Sequence, residues 1–175
     1  MSKSFFKVGI AFVTLFLCCS LVAFAQEGQS QRKSPPATVS AKVNGVSINI
    51  DYSRPSKRGR LIWGGVVKFD EVWRTGANEA TVFKLSASVR INGELLKEGT
   101  YALFSIPGKE KWTIIFNDAP VQWGAYTYNS EKDVLRLDVT PSYGNPVVEQ
   151  FTIDIDKQGN VTMKWDDAIV SFKIS

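Results

Sequence analysis

The stretch VSAKVNGVSINIDY at residues 39–52 decides the fold class. Apolar and polar residues alternate on both sides of Asn44-Gly45, and an Asn-Gly pair is a favoured two-residue turn between antiparallel strands. A period of two places the apolar side chains on one face of each strand and the polar ones on the other. The stretch therefore predicts a β-hairpin with one face in the core and one face in water.

Similar alternation recurs along the rest of the chain. A second hairpin is predicted around Asn92-Gly93, and the C-terminal end is predicted to form a three-strand meander that turns at Gly159-Asn160. Further strands are predicted at residues 81–85, 112–117 and 135–139, of which the last two have one face in water. About ten or eleven short strands separated by turns predict an all-β fold, an antiparallel β-sandwich with jelly-roll or immunoglobulin-like connections. A closed β-barrel is the alternative architecture.

The N-terminus has the features of an export signal. Lys3 and Lys7 precede an almost wholly apolar run at residues 8–24, and Ala23-Phe24-Ala25 has the small-x-small form that signal peptidase accepts. We predict a signal peptide at residues 1–25 with cleavage after Ala25, a flexible polar linker at residues 26–36 and a single β-sandwich domain at residues 37–175. This organisation predicts a periplasmic or secreted protein. A single membrane anchor is the alternative, but the apolar run is short for a bilayer and no basic stop-transfer cluster follows it.

The composition excludes several enzyme classes. The chain has no histidine, and both cysteines, Cys18 and Cys19, lie within the predicted signal. Without these side chains the mature chain cannot form a Ser-His-Asp triad, a cysteine nucleophile or a zinc site of imidazole and thiolate ligands, which leaves carboxylate, Lys or Tyr chemistry. Lipid attachment at Cys18 is disfavoured because the preceding residues are Leu15-Phe16-Leu17, with bulky Leu17 where a small residue is normally needed. We expect no metal site and no cofactor.

The charge of the chain does not indicate a nucleic-acid partner. Removal of Lys3 and Lys7 with the signal lowers the formal net charge from +4 to +2, because no acidic residue leaves with them. A nearly neutral domain lacks the basic excess that is typical of nucleic-acid binding. We also expect no stable membrane insertion once the signal is removed.

Two stretches break the alternation and are predicted to be loops. SRPSKRGR at residues 53–60 holds four basic residues punctuated by proline and glycine, and EVWRTGANEAT at residues 71–81 gathers polar and aromatic residues around a glycine. If both loops lie at the same end of the sandwich, Arg58, Arg60 and Arg74 would converge on one anion. Guanidinium groups bind carboxylate or phosphate through paired hydrogen bonds, so this arrangement predicts an anionic ligand.

Structural roles are the alternative for several of these residues. A basic loop is usually a solvated surface, and Arg74 and Glu79 are close enough in sequence to pair as a brace of their loop. Trp73 is expected to plug the core at a strand end, and the other tryptophans are expected in the core as well. Trp123 has a second interpretation, since an aromatic pair beside glycine, Trp123 and Tyr126, would stack on a flat ligand such as a sugar.

Several motifs together carry a resemblance to a known family. They are SRPSKRGRLIWG, VWRTGANEAT, GTYALFSIP at residues 99–107, WTIIFN at residues 112–117, WGAY at residues 123–126 and DVLRLDVTP at residues 133–141. From about Val39 to Ile174 the chain resembles the bacterial family called domain of unknown function 2911. The resemblance implies an exported bacterial β-sandwich domain and supplies no catalytic residue. It implies that the family's signature motifs include Arg54, Pro55, Arg58, Gly59, Arg60, Trp73, Arg74, Gly76, Ala77, Asn78 and Glu79.

We therefore predict a binding module for a small polar or anionic ligand, such as a glycan or a cell-envelope component. The predicted ligand-binding residues are Arg54, Arg58, Arg60, Trp73, Arg74, Asn78, Glu79, Trp123 and Tyr126. The alternative is a carboxylate-dependent hydrolase that acts on a glycan, with Glu79 and Asp133 as the acids. A structural envelope protein without a ligand is the further alternative.

Overall fold

The computed structural model describes residues 32–175, which form β-strands joined by loops and a single 3-10 turn. The predicted signal peptide and residues 26–31 of the predicted linker lie outside the described residues. Residues 33–36 of that linker contact the domain, because the Arg54 amide donates to the Pro35 carbonyl at 2.9 Å and Pro36 begins the first strand. No helix in the described part of the chain is long and apolar enough to cross a membrane.

Eleven strands are found between residues 32 and 175. They are β1 Pro36–Val43, β2 Val46–Ser53, β3 Thr81–Leu85, β4 Val89–Ile91, β5 Glu94–Leu96, β6 Gly99–Ile106, β7 Trp112–Asn117, β8 Asp133–Val139, β9 Val148–Ile155, β10 Asn160–Asp166 and β11 Ala168–Lys173. The 3-10 turn at Ser130–Lys132 immediately precedes β8. Every strand predicted from the alternation is present.

The strands form two antiparallel layers. One layer is a six-stranded sheet in the order β1-β2-β3-β6-β7-β8. The other is the sheet β9-β10-β11, and the β4-β5 hairpin adjoins it, because the Arg90 amide donates to the Ser175 carbonyl at 2.8 Å and Ile91 pairs with Ile174. Neither sheet closes on itself. The prediction of an antiparallel β-sandwich is confirmed.

The two Asn-Gly turns explain how the hairpins form. Asn44 and Gly45 have φ values of +49° and +88°, and Asn92 and Gly93 have +49° and +95°. A two-residue turn between right-handed twisted strands needs positive φ at both positions, a conformation that Asn and Gly adopt at low cost. The flanking residues pair directly across each turn, so the register of both predicted hairpins is confirmed.

The core lies between the two layers and includes a cluster of tryptophans. Its buried residues include Ile48, Ile50, Phe83, Ile114 and Phe116 from one layer and Phe151, Ile153, Met163, Val170 and Phe172 from the other. Trp63, Trp73, Trp112 and Trp165 pack against one another with ring centroids 4.9 to 6.3 Å apart. Each such pair adds roughly 0.5–1.5 kcal/mol beyond the burial of its area. The core prediction is confirmed for these four and wrong for Trp123, which is 59% exposed in a loop.

Loops cover the outer face of the six-stranded sheet over β6 and β7. Ile115 and Asn117 are fully buried, although the alternation predicts that this face of β7 is in water. Ile115 packs in a second apolar cluster with Ala80, Ala102 and Phe104. The prediction is wrong here because the loops at residues 71–80 and 118–129 fold over the sheet and contribute Val72, Ala125 and Tyr128 to that cluster. The two loops therefore lie side by side.

Candidate functional site

Arg54 is fixed to the second layer of the sandwich. Its Nε donates to the Phe151 carbonyl at 3.1 Å, and its Nη2 donates to the Thr152 hydroxyl at 2.7 Å. Both acceptors lie on β9, so Arg54 links the end of β2 to the facing layer. Arg54, a predicted ligand-binding residue, therefore uses these two donors for hydrogen bonds within the protein.

Arg58 and Arg60 hold the basic loop in shape. The Arg58 Nη2 donates to the Lys33 carbonyl at 3.0 Å. The Arg60 Nε donates to the Lys57 carbonyl at 3.0 Å, and its Nη2 donates to the Ser56 carbonyl at 2.6 Å. Both arginines are exposed, so their remaining N–H groups face water.

Arg74 has a different environment from the other three arginines. It forms no hydrogen bond or ion pair with any residue from 32 to 175, and its Nε is buried without an acceptor. Burial lowers the pKa of the Arg74 guanidinium from its usual value, and the phenol of Tyr126 acts in the opposite direction. The predicted brace between Arg74 and Glu79 is therefore not formed. Arg74 is half-buried and carries a charge that the described part of the chain does not neutralise.

The basic loop and the Arg74 loop meet at a hollow. Arg60, Arg74, Gly76 and Ser34 are among the residues that line this space of about 190 Å³, and Trp73 forms part of its wall. Ser34 and Arg60 also line an adjoining depression of about 400 Å³. We call the smaller space the arginine hollow. The structure thus brings two sequence-distant arginines, Arg60 and Arg74, to one cavity.

The aromatic loop at residues 121–126 borders Arg74 at Gly124. Gly124 has a φ of +68°, and a Cβ atom there would lie 2.8 Å from the Tyr126 Cε2 and 3.7 Å from the Arg74 Nη1. A glycine at this position therefore lets the Tyr126 ring approach the backbone closely, next to the guanidinium. Tyr126 is 84% exposed and Trp123, in the same loop, is 59% exposed, so both rings are open to solvent.

Trp73 lines the hollow, and Asn78 bonds to Ser34, another residue of its lining. Trp73 plugs the core, where it stacks on Trp165 at a centroid distance of 5.9 Å and donates its Nε1–H to the Gly76 carbonyl at 3.0 Å. The Asn78 Nδ2 donates to the Ser34 carbonyl at 3.1 Å. Trp73 therefore donates to the backbone, and the Asn78 amide donates both to the backbone and to the Ser53 hydroxyl, at 3.3 Å. Their contacts position the residues that line the hollow.

A family model described as protein of unknown function (DUF2911) matches residues 34–174. The chain belongs to this family. The matched residues of this DUF2911 domain include all eleven described strands and every residue that lines the arginine hollow. Comparison with curated proteins and with solved structures gives no match. The description of the family names no activity, so the chemistry of the site has to be inferred from its geometry.

The two acids of the hydrolase alternative have different surroundings. The Asp133 side chain is 4% exposed and accepts hydrogen bonds from the Asn117 Nδ2, the Tyr128 hydroxyl and the Arg136 Nη1. Burial, together with the hydrogen bond to Asp133, raises the pKa of Tyr128 to about 12. Glu79 lies exposed on the Arg74 loop. A carboxylate that is held by three donors is typical of a structural residue.

Sequence reasoning missed an ion pair and a cleft next to the basic loop. The Lys57 Nζ lies 2.6 Å from the Asp166 Oδ2, with both side chains largely buried. A separate cleft of about 460 Å³ is lined partly by Trp63, Phe69 and Tyr143. The sequence signal nearest to it is the short apolar piece at residues 61–63. The rest of the cleft comes from distant segments, so no local pattern identifies it.

Proposed function

We propose that this DUF2911 domain is an exported binding module for a small anionic ligand, a glycan or cell-envelope component with an acidic group. The observation that carries the proposal is Arg74, a half-buried guanidinium at a hollow with no acceptor between residues 32 and 175. Burying a polar group without a partner costs free energy, so such groups in native proteins call for an explanation. A ligand carboxylate or phosphate would supply the missing acceptors through charge-assisted hydrogen bonds.

Neighbouring side chains extend this binding chemistry. Arg60 lines the same hollow, and its exposed position gives a second cation at the rim. The loop that borders Arg74 at Gly124 carries Tyr126 and Trp123, which are open to solvent, and an aromatic ring stacks well on the apolar face of a sugar. A ligand with an acidic group attached to a sugar ring would therefore use both features at once.

Export rests on the N-terminal pattern. A basic start, an apolar run and a small-x-small cleavage motif after it are the features of a secretory signal. The absence of cysteine and histidine from residues 26–175 is compatible with a binding role that needs neither. We propose a periplasmic or secreted location, which mass spectrometry of the mature N-terminus would test by detecting a chain that begins at Gln26.

The test is ligand binding by variants of Arg74. Glucuronate and inorganic phosphate serve as anionic probes and glucose as the neutral control, first by thermal shift and then by calorimetric titration. We expect glucuronate to raise the melting temperature of the unaltered domain, and Arg74→Ala to lower its affinity at least about tenfold, as expected for the loss of a charge-assisted pair. Arg90→Ala is the matched control, since it removes an exposed arginine from the β4-β5 hairpin and should leave the affinity unchanged.

A second variant separates ligand binding from a structural role. Arg74→Met keeps much of the side-chain volume but removes the buried, unpartnered Nε. We expect it to abolish anion binding while the free energy of unfolding stays within about 1 kcal/mol of the original value or rises. A large loss of stability in Arg74→Met, or unchanged affinity in both variants, would contradict the proposal. If neither anionic probe binds, the structural alternative without a ligand is favoured.

A further inference from the structure

The cleft of about 460 Å³ has the chemistry of a cation site rather than an anion site. Three aromatic side chains, Trp63, Phe69 and Tyr143, contribute to its lining, together with the carboxylates of Asp166 and Asp167. No residue of this lining belongs to the arginine hollow. The two cavities are therefore separate features of the surface, and the role of the cleft is independent of the function proposed for the hollow.

The aromatic walls of the cleft are held in place by the protein. The Tyr143 hydroxyl donates to the Gly108 carbonyl at 2.9 Å and accepts from the Trp112 Nε1 at 3.0 Å. Trp63 is 8% exposed and is packed against the other three core tryptophans. Rings fixed in this way lose little freedom when a ligand binds, which favours affinity.

The two carboxylates of the cleft differ in whether a cation of the protein is paired with them. Asp166 is neutralised by Lys57, whose Nζ lies 2.6 Å from its carboxylate. Asp167 accepts a hydrogen bond from the Gly144 amide at 3.3 Å and forms no ion pair among residues 32–175. The only amine in the lining is Lys109, which is exposed. Asp167 is thus a carboxylate that still has room for a cation.

Lys109 shows where a cation sits in this cleft. Its Nζ lies 6.0 Å from the centroid of the Phe69 ring, at the outer limit of a cation–π contact. An aromatic ring attracts a cation to its face, and several rings with a carboxylate nearby recognise quaternary ammonium groups. The lysine reaches only the edge of that range, so a ligand cation that enters the cleft would take the better position.

We propose that this cleft binds an organic cation, an alkylammonium or quaternary ammonium group, against Phe69, Tyr143 and Trp63, with Asp167 as its counter-ion. Lys109 competes with that cation for the face of Phe69. The apolar side chains of Leu61 and Val147, which are 71% and 62% exposed, would pack on the alkyl part of the ligand. The ligand class is therefore a small amphipathic cation.

Choline is the probe, and 3,3-dimethylbutan-1-ol, which has the same shape without the charge, is its matched control. Binding is measured by calorimetric titration and by tryptophan fluorescence at low ionic strength, because the pairing with Asp167 is screened by salt. We expect choline to bind at least about fivefold more tightly than the neutral alcohol, as expected for a cation–π contact with a counter-ion. Asp167→Asn should remove most of this difference and leave the weak binding of the alcohol unchanged.

Lys109→Ala is expected to change the affinity for choline in the opposite direction from Asp167→Asn. It removes the competing amine from an exposed position, so it should leave the fold intact and strengthen choline binding by about two- to fivefold. Equal affinity for choline and the neutral alcohol would overturn the proposal, and so would undetectable choline binding. Weaker choline binding in Lys109→Ala would also overturn it. Since Lys109 lies at the surface, this result can be interpreted even if Asp167→Asn does not fold.

Discussion

The basic loop at residues 53–60 and the loop around Arg74 both supply arginines to the neighbourhood of one hollow, but they use them differently. Arg54, Arg58 and Arg60 donate to backbone carbonyls or to a hydroxyl within the domain. Arg74 has no acceptor between residues 32 and 175 and contributes a buried Nε. The four arginines therefore divide into three whose side chains are bonded within the domain and one, Arg74, whose guanidinium has no acceptor between residues 32 and 175.

The difference arises from what lies within reach of each side chain. A loop that turns on proline and glycine exposes its own carbonyls, so Arg60 finds acceptors three and four residues away. Arg74 follows the buried Trp73 and precedes a turn whose carbonyls are already used by Trp73 and Thr81. A cluster of basic residues in a loop thus indicates side chains that donate to carbonyls of that same loop. An isolated arginine next to glycines is the better candidate for a ligand contact.

Among the substitutions that test this difference between the arginines, Arg54→Ala is expected to lower the stability most. Arg54→Ala removes two hydrogen bonds from a charged donor to β9, and each such bond contributes roughly 1.5–3 kcal/mol. We expect the free energy of unfolding to fall by about 3 kcal/mol. Urea denaturation followed by tryptophan fluorescence measures this loss, because two core tryptophans, Trp73 and Trp165, pack against Phe151.

Arg60→Ala is the matched control for Arg54. Arg60 bonds only to carbonyls of its own exposed loop, so its removal should cost less than about 1 kcal/mol. Equal losses in the two variants would show that the basic loop acts as one unit. In that case the distinction between residues that link the layers and residues that shape the loop would not hold.

The fold was predictable from the sequence because its determinants are local. The period of two, the two Asn-Gly turns and the C-terminal meander depend on neighbouring residues and on positive φ at Asn44 and Asn92. The buried outer face of β7 was not predictable, because Ile115 and Asn117 are covered by loops that are distant in sequence. Alternation predicts which residues share a face and does not predict what packs on that face.

The candidate site was predictable only in part. Motif composition pointed to Arg74 and to the aromatic pair near Gly124, and Arg74 and Tyr126 do both lie beside Gly124. Hydrogen-bond partners decide which arginines are available, and no sequence pattern contains that information. Asp133 illustrates the same limit, since its three donors come from β7, from Tyr128 in the loop at residues 118–129 and from its own strand.

An intermediate effect is expected at the ion pair between Lys57 and Asp166. Asp166→Asn removes the charge and suits the φ of +53°, since Asn tolerates the left-handed region. We expect a loss of about 2 kcal/mol, because the amine of Lys57 is then left largely buried without its counter-ion, although it keeps the Arg60 carbonyl as an acceptor.

A double-mutant cycle with Lys57→Met measures the coupling of that pair. The coupling energy should be about 1 kcal/mol or more, as for residues in direct contact. If the two substitutions were additive, the ion pair would contribute nothing. The basic loop would then be held by its arginines and backbone alone.

The smallest effect is expected at Tyr128, which, like the three engaged arginines, has its polar group satisfied within the protein. Burial raises the pKa of Tyr128 from 10.0 to about 12, and its hydrogen bond to Asp133 acts in the same direction. The folded domain therefore keeps this proton where the unfolded chain loses it, so the stabilisation is complete below pH 10 and is lost as the pH rises towards 12.

Tyr128→Phe should flatten this part of the stability curve, measured by urea denaturation between these pH values. Tyr126→Phe, at a ring that is 84% exposed, is the control and should keep the slope of the unaltered domain. Equal slopes in all three proteins would mean that the Asp133 cluster is as open to water as the aromatic loop that borders Arg74.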